Sequence, residues 1–257
     1  MDQLVLTLDV DWAPDFIIDW VADKLIERHV KATWFVTHSS PAINRLREYP
    51  DLFELGIHPN FLSGSTHGET ISEVLQYCLG VVPDATSVRV HGLAWSSQIL
   101  EAVMKAGIKV DVSLFVPYAP CLSPIDFRYS GSSIVRIPFF WEDDFELEKS
   151  LPCWQLEPLL RVSSGLKVFN FHPVHIFLNS KSMTKYNELR LRVSNLRDMT
   201  RKIAENYIME QDGVRTSFET LVEYISRNQN SINISGIYRL WKNSGRLVNV
   251  NSCSRST

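Results

Sequence analysis

The residues that could do chemistry begin with two aspartates, Asp9 and Asp11, in the stretch LTLDVDW. Positions i and i+2 of a strand share a face, so the two carboxylates are expected side by side. Like charges held that close repel unless a cation or a shared proton lies between them. Downstream, His58 in GIHPN, Arg89 and His91 in VRVHG, Asp111 in KVDVS, and His172 with His175 in FNFHPVH each close an apolar, β-rich run. One aspartate with two histidines suits a divalent cation that keeps positions open for water and a substrate oxygen. If one carboxylate binds the cation, the other is free to take a proton from water. That is the chemistry of metal-assisted hydrolysis.

These residues can meet only if the elements carrying them end at one rim. QLVLTLD, ATWFVTH (32–38), LFELGIH (52–58), SVRVHG (87–92), KVDVSLF (109–115), IVRIPFF (134–140) and LKVFNFH (166–172) read as strands. Helical stretches separate them. Residues 15–28 place Phe16, Ile17, Trp20, Val21 and Leu25 on one stripe behind Pro14, and 41–49, 69–81 and 96–106 follow. A loop with Pro117, Pro120 and Pro124 comes next, then a long helix over 184–211 and another over 216–227. Apolar strands alternating with helices imply a parallel sheet covered on both faces, either open or closed as a barrel, with its active residues at the C-terminal strand ends.

With 257 residues, 45% of them hydrophobic, the chain suits one large α/β domain or two small ones. A net charge of −3 provides no positive field for phosphate backbones, so nucleic acid is not expected as a partner. Cys78, Cys121, Cys153 and Cys253 are widely spaced, which favours free thiols in a reducing compartment. The N-terminus is acidic where a signal peptide is basic, and no run approaches a transmembrane span. A cytoplasmic protein is therefore expected. After Arg227 the sequence turns rich in Asn and Ser and contains no acid, so 1–227 reads as the catalytic domain and 228–257 as a polar tail. IYRLW and RLVNV within it leave an edge strand or a partner contact as the other reading.

Together the motifs resemble the polysaccharide deacetylases, the NodB-type carbohydrate esterases. LTLDVDW looks like their first motif in its DxD form, GIHPNFLSGSTHG like the histidine motif, RVHG like the third, VDVS like the fourth and FNFHPVH like the last. The order matches as well, and HPNFLSGSTHG with FHPVHIFLNS is most similar to the WbmS-type branch among bacterial surface-polysaccharide proteins. The resemblance implies a distorted (β/α) barrel of about seven parallel strands. It also implies a catalytic set of Asp9 as general base, His172 as general acid, Arg89 orienting Asp9 and Asp111 holding His172, with Asp11 and His58 as metal ligands.

One departure bears on the third ligand. The family's usual histidines lie four apart on one helical face, whereas His58 and His67 are nine apart and cannot share a helix face. The loop PNFLSGST, with Pro59 and Gly64, must fold back for His67 to serve. His67 is the expected third ligand, His91 and His175 are its rivals, and a helix-capping role is the plain alternative. Two imidazoles and a carboxylate suit zinc first, and also iron, cobalt or nickel. The expected reaction is removal of acetate from an acetamido sugar or polysaccharide. An allantoinase-like hydrolase of a small amide and a non-catalytic carbohydrate-binding relative are the alternatives. Trp12, Trp95, Phe115, Tyr118, Phe140 and Trp141 could stack on a sugar ring, or belong to the core.

Overall fold

In a computed structural model of the chain, which describes residues 2–161 and 164–244, nine strands form one curled sheet. They are β1 (Gln3–Asp9), β2 (Ala32–Val36), β3 (Phe53–Ile57), β4 (Ser87–Val88), β5 (Val110–Asp111), β6 (Ile125–Tyr129), β7 (Ser132–Arg136), β8 (Trp141–Glu142) and β9 (Leu166–Phe171). Their order is β6-β7-β5-β4-β3-β2-β1-β9-β8, with every pair parallel except β6 and β7.

β7 and β8 are the two halves of one extended stretch. β7 pairs with β5, the Phe140 N–H donates to the Val168 carbonyl at 2.8 Å, and β8 pairs with β9. The sheet thereby returns on itself as a distorted barrel. Counting the 132–142 stretch once, seven strand positions go round the ring, in agreement with the sequence reading. The surplus over seven comes from that split strand and from β6, which the sequence hides. β6 is an edge strand with mostly exposed side chains, placed after the run of prolines that reads as loop. Its hairpin turns at Ser130 and Gly131, both at positive φ (50° and 77°), the geometry of a two-residue type I′ turn.

Alternation along the strands divides the core into two layers. Leu4, Leu6 and Leu8 of β1 join the outer layer under the helices, whereas Val5 belongs to an inner cluster with Phe35, Val110, Val135, Phe139 and Val168. Thr7 and Asp9 share the parity of Val5, so the inner file of β1 ends in a carboxylate. The sequence therefore points Asp9 inward at the end of a fully buried strand.

Two expectations need correction. The long helix over 184–211 is instead Met183–Arg192 and Arg201–Glu205 with a short 3₁₀ turn between them. Asn195 accepts from the Arg197 N–H and Thr200 from the Ile203 N–H, so side-chain oxygens compete with the helical ladder and restart it. The tail after Arg227 is also not merely polar chain. Ile234–Asn243 is a helix whose Ile234 and Ile237 are fully buried in the inner cluster, and Ile232 bridges to Val5. The rest of the expected tail from residue 245, Cys253 included, lies outside the described residues. Cys78, Cys121 and Cys153 are unpaired, and no helix among the described residues is long and apolar enough to cross a membrane.

Candidate active site

Asp9 ends β1 almost fully buried, and each of its oxygens is held. Oδ1 accepts from Arg89 Nη1 at 3.0 Å and Oδ2 from Asn170 Nδ2 at 2.9 Å. The Arg89 guanidinium is completely buried between the rings of Phe35 and Phe139, each 4.6 Å from its carbon. Its Nε donates to the Val112 carbonyl at 3.1 Å, and Nη1 also donates to Thr7 Oγ1 and Asn170 Oδ1. A buried guanidinium needs a buried anion, and Asp9 supplies it. Arg89 fixes where Asp9 points.

Asp11 reaches the same cleft by a different route from the strand alternation read in the sequence. β1 stops at Asp9, and Asp11 and Trp12 both take left-handed backbone (φ 42° and 58°), uncommon for residues with a side chain. The Trp12 N–H donates to Thr37 Oγ1 at 3.2 Å, which anchors this turn to the end of β2. Asp11 Oδ1 then lies 3.0 Å from His58 Nε2 and 3.1 Å from His91 Nδ1, and the two ring nitrogens are 3.3 Å apart.

These three atoms fit a cation. His58 Nδ1 donates to the Arg89 carbonyl at 2.7 Å, so the neutral ring presents the lone pair of Nε2 toward Asp11. Ligands bound at about 2.0–2.1 Å to one ion lie about 3.0–3.4 Å from each other, the range of the triangle here. Burial works against the Asp11 carboxylate, but the neighbouring imidazoles, His91 foremost, outweigh it and hold its pKa well below the usual range. Gly92, at φ 60°, turns the chain away directly after His91.

Across the cleft stands His172, which follows β9. Its Nδ1 is 2.7 Å from Asp143 Oδ1, and its backbone N–H donates to Asp143 Oδ2 at 2.8 Å. Its Nε2 faces inward, 3.5 Å from Asp11 Oδ2 and 4.0 Å from Asp9 Oδ2. Burial disfavours the imidazolium, yet the charges of Asp144 and Asp143 and the Asp143 hydrogen bond raise its pKa well above the ordinary histidine value. Asp144 is disfavoured by burial too, but His172 and His175 hold it down at about 2. Glu142 is pushed up to about 8 by burial and accepts from Asn170 Nδ2 at 3.1 Å. The cleft of about 230 Å³ therefore has an aspartate base site on one wall and a charged imidazole on the other.

Residues 6–190 match the model of one protein family, the WbmS-like polysaccharide deacetylases. The chain belongs to that family. It is accordingly a hydrolase of the polysaccharide deacetylase type, acting on amide bonds. A solved structure from Bordetella bronchiseptica, a candidate polysaccharide deacetylase involved in O-antigen biosynthesis (WbmS), is 31% identical with a TM-score of 0.72, over 86% of this chain and 90% of that one. A 4-alpha-glucanotransferase from Thermococcus litoralis shares the fold alone, at 12% identity and TM-score 0.54, over 93% of this chain and 38% of that one. None of the curated proteins matches the chain.

Within this WbmS-like frame, Asp9, Asp11, His58, Arg89 and His172 come together as their motifs suggest, while His67 and Asp111 stand elsewhere. His67 is buried beside the cleft: Nδ1 accepts from the Asn60 N–H at 3.1 Å and the ring stacks on Tyr77 at 4.8 Å. Burial lowers its pKa to about 4. His91, the rival on a strand-following turn, occupies the third corner of the triangle. Asp111 accepts from Arg136 Nε at 2.7 Å and the Ser113 N–H at 2.8 Å, and it is Asp143 that meets His172. His175 binds Ser180 through Nδ1 and lies 3.1 Å from Asp144 through Nε2. Glu142, Asp143, Asp144 and Asn170 are site residues the sequence reading missed. The only signal was the acidic run WEDD directly after the IVRIPFF strand. Of the six aromatic candidates, Trp12 lines a second cleft beside this one, and Phe140 and Trp141 are core.

Proposed function

We propose that this chain removes the acetyl group from an acetamido sugar of a bacterial surface polysaccharide or its precursor, using a divalent cation held by Asp11, His58 and His91. Zinc is the first candidate, with iron, cobalt and nickel compatible with the same donors. A bound cation supplies Lewis acidity, polarising the amide carbonyl and acidifying water. The protein's own groups move the protons. Asp9, oriented by Arg89 and Asn170, takes the proton from the attacking water. His172, kept protonated by Asp143 and Asp144, donates from Nε2 to the departing nitrogen. Acetate and an amino sugar result. His67 serves as a positioning residue, because its bond from the Asn60 N–H fixes the turn that follows His58.

The observation that carries this reading is that Asp9 Oδ2 and His172 Nε2 face each other 4.0 Å apart, with an Asp11 carboxylate oxygen 3.5 Å from the same imidazole nitrogen. Acetate release from a panel of acetamido sugars, with metal analysis of the same sample, tests it. Chelation should remove both cation and activity, and readdition should restore them. Full turnover in a demonstrably metal-free sample would overturn the cation assignment, and a panel without acetate release would overturn the substrate class.

A further inference from the structure

A second cleft, of about 360 Å³, opens from the catalytic one and shares Asp11 and His91 with it. Its far wall is the helix Met183–Arg192, where Tyr186 and Arg190, four residues apart, face it from one side. Tyr186 is fixed by its ring, packed edge-on against His175 at 4.5 Å, and burial pushes its hydroxyl up to about 12, so it remains a donor. Among the described residues neither the Tyr186 hydroxyl nor the Arg190 guanidinium has a hydrogen-bond or ion-pair partner. Thr66 and Ser194 complete a polar wall.

The contrast with the adjoining cleft gives this cation a use. There each imidazole of the lining already faces a carboxylate, His58 and His91 on Asp11 and His172 on Asp143 and Asp144, so no side chain is left free to pair with an anion. An unpaired guanidinium next door presents a planar fork suited to a carboxylate or a phosphate. An acidic sugar would then bind in one direction only, its anion toward Arg190 and its acetamido group toward Asp9 and His172.

We infer that Arg190 and Tyr186 form a subsite for an anionic group of the substrate, either a carboxylate on the acetamido sugar or a phosphate through which it is linked. The inference rests on the deacetylase reading for its direction of binding. Its test is therefore an equilibrium one. Calorimetry on the metal-loaded Asp9→Asn protein would compare 2-acetamido-2-deoxyglucuronic acid, N-acetylglucosamine 1-phosphate and N-acetylglucosamine. One of the two anions should bind roughly tenfold or more tightly than the neutral sugar, a size expected for a charge-assisted pair, and which anion does so identifies the source. Arg190→Gln should collapse that ratio toward one, and Arg190→Lys should retain part of it. A ratio near one in the Arg190 protein, or a ratio unmoved by Arg190→Gln, overturns the subsite. Acetate release by the Asp9 parent is followed alongside. Release without an Arg190-dependent ratio removes the subsite and leaves the deacetylase, and the reverse pattern removes the deacetylase and leaves the subsite.

Discussion

Buried carboxylates occur at both ends of the barrel, and they are treated in opposite ways. At the end covered by Ile234–Asn243, Glu54 accepts from Thr33 and Ser87 hydroxyls, each at 3.2 Å, and from the Ser235 N–H at 2.8 Å. Its partners are neutral, and burial raises its pKa. The Ile234 N–H reaches Thr33 Oγ1 at 3.0 Å and the Asn233 side chain caps the helix, so the polar groups there are matched to one another beneath an apolar plug. At the other end Asp9, Asp11 and Asp143 meet a guanidinium and imidazoles, and the lone pairs of His58 and Asp11 converge on a cleft. Burial alone does not mark a site. Lone pairs left pointing at each other do.

The contrast can be broken most severely at the closed end. Truncation after Asn230 would expose the inner faces of Val5, Phe35 and Val168, and removing each buried isoleucine costs about 2–5 kcal/mol against a total of about 5–15. Loss of a cooperative thermal transition is expected, although composition alone suggests that the segment is dispensable. A truncated chain melting like the parent would show that the plug is decorative. At the open end, Asp9→Asn should lower kcat by about 10²–10⁴ while the melting temperature and metal content hold. If instead Asp9→Asn loses the metal while Asp11→Asn binds it normally, the two carboxylates have exchanged roles.

Ile237→Ala separates the two ends more gently. It should cost about 2–5 kcal/mol in denaturant unfolding yet leave kcat per folded molecule near the parent value. The smallest expected change is a shift in pH dependence. A general acid works while protonated, so activity falls as pH rises through the pKa of His172, which Asp144 and Asp143 raise. Asp143→Asn removes part of that support, and the alkaline limb of kcat should move to lower pH. Asp111→Asn should leave the limb in place, since Asp111 pairs with Arg136. The opposite result would return Asp111 to the role its motif suggests.

Much of this was legible because strand parity and strand ends are local properties. QLVLTLD announces a strand buried on both faces, and its parity places Asp9 inside before any contact is known. What was not legible depended on contacts distant in sequence. His67 and His91 are both histidines near glycines, and only the fold-back of PNFLSGST decides which ring nitrogen meets His58. Asp111 and Asp143 both follow apolar runs, and only the closure of 132–142 against β9 brings Asp143 to His172. The C-terminal helix was hidden by its surroundings: ISGIYRLWKN lies between stretches rich in Asn and Ser, and what its isoleucines cover is the far end of another element's alternation pattern.

The groups that would hold the cation and those that would move protons arrive at different times during synthesis. Asp11, His58 and His91 are all present once residue 91 has been made, and β1 to β4 can join through neighbouring crossovers. Asp143, Asn170 and His172 come much later, and Gln3 must wait for Leu166 before the second edge of β1 is paired. A nascent chain emerging from the ribosome would thus carry its cation ligands before its acid, beside a long unpaired strand edge. That interval is when cation capture would help a half-made barrel, and when edge-to-edge aggregation would harm it most.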